Sequence, residues 1–199
     1  MKKIGLLFAS TVLLAFVGCK DGKKEVDNVN TVNDSIDMDN MSDRDVNETE
    51  KTITVMMEPK SDSNVKGEVV FTQEDGKVKM EGTFTGLKPG THAIHLHEKS
   101  DCSAADGSSA GGHWNPTHEK HGKWGDSDGF HKGDIGNFDA DKDGNGKITF
   151  DTDMWCIGCG DENKDILGKS VIVHEAEDDF KSQPTGNAGG RVACGGVIE

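Results

Sequence analysis

From Lys51 onward the chain is cut into short apolar alternations separated by turn residues, and this rhythm limits the fold more than any other feature. Ile53, Val55 and Met57 alternate with Thr52, Thr54 and Met56, and Pro59 stops the run because proline has no N–H to give a ladder. Val65–Phe71 alternates again. Glu74-Asp75-Gly76-Lys77 marks a hairpin turn in which Asp-Gly accepts positive φ, and Val78, Met80 and Phe84 continue on one face of the returning strand. Leu87-Lys88-Pro89-Gly90 is another turn. Further strands are expected at 93–98, around Asn137-Phe138-Asp139, at Lys147–Phe150, at Ser170–Glu175 and over Arg191–Val197. Short period-two runs with frequent turns predict an all-β sandwich or barrel, without giving its strand order. The 26 glycines fit long loops rather than long helices.

Three stretches lack that rhythm: about 98–134, 152–168 and 175–190. A long structureless loop in a compact domain needs something to hold it. The first stretch carries Cys102, His113, His118, His121, His131 and Asp134. In Ala93-Ile94-His95-Leu96-His97-Glu98, side chains alternate along the strand, so His95 and His97 share a face. With His174 at the end of a later strand they form an imidazole set without carboxylate or thiolate, which suits copper. His113, His121, His131 and Asp134 offer three nitrogens and one oxygen, a sufficient tetrahedral zinc set that would order the loop. Residue types alone leave the division of ligands between metals open. Asp139–Phe150 imitates a calcium-binding EF-hand loop at positions one, three, five and six. Position twelve is Phe150 instead of a bidentate Glu, and no amphipathic helix flanks it, so it reads as an acidic turn between strands.

Lys2 and Lys3 precede an apolar run, Ile4–Val17, that falls short of the roughly 20 residues of a membrane span and fits a secretory signal over residues 1–18. Phe16-Val17-Gly18-Cys19 resembles the lipobox of bacterial lipoproteins, with Phe16 where Leu is usual. The resemblance implies cleavage before Cys19, lipid on its sulfur, a membrane attachment through that lipid, and a bacterial cell-envelope location facing the periplasm or the outer surface. Residues 19–50 comprise that cysteine and an acidic, aperiodic tether, and 51–199 the folded domain. The net charge of −14 argues against nucleic acid or an anionic membrane surface as partner.

With Cys19 set apart, four cysteines allow three pairings. Joining Cys102 to Cys194 would close a long loop, a stabilisation of about 4–5 kcal/mol in the chain-entropy treatment, and pin that loop to the last strand. Cys156-Ile157-Gly158-Cys159 has neither the βα context of a redox motif nor the second half of a zinc ribbon. A local disulfide is expected there, with a soft-metal site as the alternative.

His95-Leu96-His97, Gly112-His113-Trp114-Asn115-Pro116, Lys120-His121-Gly122, His131-Lys132-Gly133-Asp134-Ile135-Gly136-Asn137, Val173-His174-Glu175 and Gly186-Asn187-Ala188-Gly189-Gly190-Arg191-Val192-Ala193-Cys194-Gly195 follow one another in the order of a known family. From about Thr52 to the C-terminus the chain resembles copper/zinc superoxide dismutase. The resemblance implies a flattened eight-stranded Greek-key β-barrel, related to the immunoglobulin-type sandwich, with long metal-binding loops. It implies superoxide as substrate, converted to oxygen and hydrogen peroxide by alternate reduction and reoxidation of copper, and one copper and one zinc per subunit. By position, His95, His97, His113 and His174 match the copper ligands, and His113, His121, His131 and Asp134 the zinc ligands, with His113 the bridge. Asp178 matches a carboxylate joining the outer nitrogens of His95 and His121, Asp179 being the alternative if the count from His174 contains a gap. Cys102–Cys194 matches the intrachain disulfide. Arg191 and His113 match the catalytic residues, with Thr185 on the channel rim. Pro184 stands where eukaryotic members often carry a lysine, for which Lys181 is the nearby substitute. His92 and His118 match no ligand position and are expected in surface or packing roles. The resemblance also allows a homodimer. A metal buffer without turnover is the competing class; such domains typically lack ligands or the arginine, and here all are present.

Overall fold

The computed structural model describes residues 50–199; the residues read above as signal, lipid-bearing Cys19 and most of the tether lie outside that range. The strands are β1 (Lys51–Pro59), β2 (Lys66–Glu74), β3 (Lys77–Thr85), β4 (Gly90–His97), β5 (Gly136–Ala140), β6 (Gly146–Thr152), β7 (Ser170–His174) and β8 (Arg191–Gly196). They pair antiparallel in the order β1-β2-β3-β6-β5-β4-β7-β8, and β8 meets β1 through Cys194 opposite Glu58 and Ala193 opposite Pro59, which closes the barrel. The expected all-β barrel is therefore observed. Its order is what the sequence could not supply: β3 and β4 are held apart by β6 and β5, and β6 and β7 by β5 and β4. These two crossings make the Greek key.

Period two places the core. On β1, Ile53, Val55 and Met57 are buried while Met56, between them, is 65% exposed. Val69, Phe71, Val78, Met80 and Phe84 continue the interior from β2 and β3, and Val171, Val173 and Ala193 from β7 and β8. At roughly 25 cal/mol per Å² of apolar area removed from water, these side chains supply the main force for closure.

β4 departs from one-sided burial. Every residue from His92 to His97 is buried. Ile94 and Leu96 join the interior, so His95 and His97 lie on the outer face, where long loops cover them. The 98–135 segment is fastened to β4 much as a strand would be. Trp114 N–H donates to Leu96 O (2.8 Å), Leu96 N–H to Gly133 O (2.9 Å) and Gly133 N–H to Trp114 O (2.9 Å). A Cβ on Gly133 would strike Leu96 O and lie 3.1 Å from Trp114 N, so this three-way contact requires glycine.

The acidic 139–150 stretch is the turn between β5 and β6. Asp141 Oδ1 accepts the N–H groups of Asp143 and Asn145, both at 2.9 Å, so this carboxylate shapes the turn. His92 is a packing residue: its ring lies between the carbonyls of His174 and Lys88, each 2.8 Å away. His118 is exposed, in the left-handed region with φ 57°.

Candidate metal centre

Each histidine of the outer face is oriented by the nitrogen that points away from the site. His97 Nδ1 lies 3.0 Å from Gly111 O, and His174 Nδ1 3.3 Å from Gly189 O. A carbonyl only accepts, so each Nδ1 carries the proton and each Nε2 keeps a lone pair. The two Nε2 atoms face one another at 3.4 Å. Two buried lone pairs at that distance repel unless a cation lies among them. His95 uses Nε2 for Asp178 Oδ2 (2.8 Å), which leaves Nδ1 turned inward. His113 Nε2 completes the group, and the four ligand atoms lie within 4.8 Å of one another.

Asp134 organises the second group. Its Oδ1 is 2.8 Å from His113 Nδ1 and 3.2 Å from His131 Nδ1, and its Oδ2 is 3.0 Å from His121 Nδ1. Backbone N–H groups of Gly122 and His131 also donate to Oδ2 and fix the carboxylate. Three Nδ1 atoms and one carboxylate suit tetrahedral zinc. His113 belongs to both groups, with Nδ1 toward Asp134 and Nε2 toward the three imidazoles of the first.

The donor atoms fit these ions on an observation independent of any family. Among the described residues, the buried side-chain atoms without a hydrogen-bond partner are Ser170 Oγ and four imidazole nitrogens: His95 Nδ1, His113 Nε2, His121 Nδ1 and His131 Nδ1. All four of those nitrogens are ligand atoms of the two groups. Buried polar atoms are rarely left unpaired, so positive ions are the missing partners.

Electrostatics agree. Burial lowers His113 to about 4, although its contact with Asp134 opposes the shift. Burial, then the neighbouring imidazoles, hold His97 and His174 well below the usual histidine range. Neutral imidazole is the ligating form. For Asp134, burial acts upward, but its contacts with the His113, His121 and His131 rings and the His131 N–H prevail and hold it far below the carboxylate range. Asp178 behaves alike through His121 and His95. Between those two carboxylates His121 is pushed up to about 9, against the downward pull of its burial.

Asp178 ties the groups together. It is 2% exposed, and its Oδ1 lies 2.9 Å from His121 Nε2 while Oδ2 meets His95. Asp179 instead caps its own turn, accepting the N–H of Lys181 and of Ser182 at 2.8 Å. Asn137 was read only as part of a motif. Its side chain clamps the backbone of Asp178 from both sides, accepting from Asp178 N–H (2.8 Å) and donating to Asp178 O (2.9 Å). A lone polar residue on a short strand was its only signal.

Gly186, with φ 65°, lies under the Asp178 carboxylate; a Cβ there would strike Oδ1 and come within 2.6 Å of His121 Nε2. Gly186→Ala is expected to displace the carboxylate and weaken binding of both metals by about 10–100-fold, the usual effect of losing a ligand's outer partner. Competition against a chelator measures it, and unaltered affinity for both metals would contradict the linkage.

The guanidinium of Arg191 opens β8 beside the site. Nη1 donates to Gly107 O (2.6 Å) and Nη2 to Gly111 O (2.7 Å). Gly111 O is also the acceptor that orients His97, so one carbonyl holds both side chains. The loop bearing these glycines is joined to β8 by the Cys102–Cys194 disulfide, and Lys60 Nζ donates to Cys102 O (2.6 Å). Cys156 and Cys159 form a second disulfide. Thr185 is half-buried and Lys181 exposed on the loop that follows β7.

Residues 65–198 match the family described as copper/zinc superoxide dismutase (SODC). The chain belongs to this family. This dismutase is 41% identical over 141 residues to the protein named extracellular superoxide dismutase [Cu-Zn] of Drosophila melanogaster, a match covering 67% of the present chain and 75% of the fly protein. Its fold is similar to the crystal structure titled as that of the clock protein EA4, with a TM-score of 0.63 and 36% identity over 74% of the dismutase and 94% of that chain. The first group is thus the copper site and the second the zinc site, sharing His113.

Proposed function

We propose that Arg191 and His113 are the residues that carry turnover in this dismutase, and that the domain works outside the cytoplasm on a lipid anchor at Cys19. The observation that carries the first part is the shared Gly111 carbonyl, which hangs the guanidinium and a copper ligand from one atom. When bound, copper supplies the one-electron chemistry that turns two superoxide ions and two protons into oxygen and hydrogen peroxide, while zinc supplies a fixed positive charge at the far side of His113.

The chain's own residues have two tasks, to gather the anion and to manage protons. A net charge of −14 repels superoxide, so local charge must recruit it. Arg191 has five N–H donors in a planar fork; its bonds to Gly107 and Gly111 fix the plane and leave others for a small anion. His113 Nε2 is buried and without a partner, and burial keeps its ring readily deprotonated. It is placed to hold one proton and release it to the forming peroxide. Asp134, beside its Nδ1, would hold the ring in register by sharing the zinc with it.

Arg191→Ala is expected to lower the superoxide rate by roughly tenfold and flatten its ionic-strength dependence, with metal content intact, since steering of this kind adds about 10–10³ to an on-rate. Stopped-flow decay of superoxide at several salt concentrations reads both quantities. An unchanged rate and slope would remove Arg191 from recruitment.

Export rests on the signal-like residues 1–18, the lipobox-like Phe16–Cys19, the acidic 19–50 tether, and the extracellular designation of the fly relative. One acyl chain binds membranes only marginally and several bind firmly. Cys19→Ser is therefore expected to move the protein from the membrane fraction to the soluble envelope fraction of its native cell. Persistence of the variant in the membrane would point to a different anchor.

A further inference from the structure

We propose that the Cys156–Cys159 pair, once reduced, is a third metal site of this chain, one that takes monovalent copper. The two sulfurs belong to a loop between β6 and β7 and share no residue with the copper and zinc groups. Cys159 is exposed and Cys156 is 8% exposed, so one sulfur is open to exchange and the other is sheltered.

The loop is held by bonds that do not depend on the disulfide. Cys156 N–H donates to Lys164 O (2.8 Å) and Ile166 N–H to Cys156 O (3.0 Å). Ile157 is buried and fastened to the barrel, its N–H on Gln73 Oε1 (2.6 Å) and its carbonyl accepting from Lys51 Nζ (2.8 Å). The disulfide spans 3 residues against 92 for Cys102–Cys194, so it removes little chain entropy. Opening it leaves two thiols in a fixed turn, which is a preformed chelate.

The donor set selects the ion. Asp165 is the third residue of the cluster. Its carboxylate is already engaged: Oδ1 accepts from Gly158 and Leu167 N–H, and Oδ2 from Gly160 N–H. Three of its roughly four acceptor positions are thereby filled. It shapes the turn, in which Gly158 and Gly160 take positive φ, and leaves the two sulfurs as the working donors. Two thiolates without imidazole suit soft monovalent copper better than zinc, which calls for four ligands. Asp161, Glu162 and Asp165 outnumber Lys51 and Lys164 about the loop, a balance that draws cations. No helix N-terminus faces either sulfur among the described residues. Metal capture therefore suits the pair better than disulfide exchange chemistry.

The steps balance. A dithiol gives two electrons and two protons to the Cys156–Cys159 bond, becoming a disulfide while two thiols form. One cuprous ion then replaces the two protons to give a bis-thiolate. In the absence of the ion, hydrogen peroxide, the product of dismutation, oxidises the two thiols back to the disulfide and leaves as two waters.

The test uses the full copper- and zinc-loaded chain, reduced with a water-soluble phosphine that is then removed, and titrated anaerobically with cuprous ion against a competing chelator. One further copper per chain is expected in the reduced protein and none in the oxidised one, with two sulfur neighbours by X-ray absorption. Cys159→Ser is expected to abolish the extra copper while keeping dismutase activity, and Asp165→Asn to keep the stoichiometry with about tenfold weaker binding through loss of the fixed turn. The proposal fails if reduced wild type takes no extra copper, or if Cys159→Ser takes as much, which would assign the uptake to reduced Cys102 and Cys194.

Discussion

His113→Ala is expected to abolish dismutation and to weaken copper and zinc binding together. Among the described residues, no other side chain offers a nitrogen to each group, and both groups lose a donor when it goes. Loss of a positioned proton donor alone costs about 10²–10⁴-fold in rate, and loss of the ligand adds to it. His92→Ala is the matched control. That ring is also buried, yet its hydrogen-bond partners are backbone carbonyls and its ring packs on Phe138, so its loss should lower stability and leave metal content intact. Activity against a steady superoxide flux and metal analysis of both variants decide the matter. Full activity in His113→Ala would overturn the shared-ligand reading, and metal bound without turnover in the unaltered protein would favour a buffer.

The second large effect is expected from the double replacement of Cys102 and Cys194 by alanine. The bridge spans 92 residues, and its removal is worth about 4–5 kcal/mol in the chain-entropy treatment. For a domain of this size that corresponds to a fall of roughly 10–20 °C in the melting temperature. Stability is only half of the consequence. The released loop carries Gly107 and Gly111, whose carbonyls hold Arg191 and His97, so activity should fall even at temperatures where the variant stays folded. Calorimetry of the metal-loaded protein, with rates measured well below its transition, separates the two. A melting point lowered by no more than about 2 °C would show that Lys60 and the Leu96–Trp114–Gly133 contacts hold the loop unaided.

What could be read from the sequence follows from which interactions are local. The alternation of Ile53, Val55 and Met57 is a property of one strand and was visible. The pairing of β3 with β6 depends on contacts between segments more than sixty residues apart, such as Met80 with Phe150, and no local pattern encodes it. The metal-ligating residue types were equally plain. The working nitrogen of each ring was hidden, because it is chosen by distant partners: Gly111 O for His97, Gly189 O for His174, Asp178 for His95. Asn137 and Gly186 escaped for a related reason, since both act on the place of Asp178 rather than through chemistry of their own.

The carbonyl of Gly111 carries a consequence for how this enzyme can change. It fixes the tautomer of His97 and the plane of Arg191 at once. Gly111 has φ 80°, and a Cβ there would meet the Glu98 carboxylate, so the position tolerates little beyond glycine. Deleting Arg191 leaves the carbonyl in place for His97, whereas shifting the carbonyl moves both. Selection on the speed of anion capture therefore cannot reshape this segment without also altering copper retention. The two traits are tethered to a single oxygen, and the separable route to faster capture is charge added farther out on the surface.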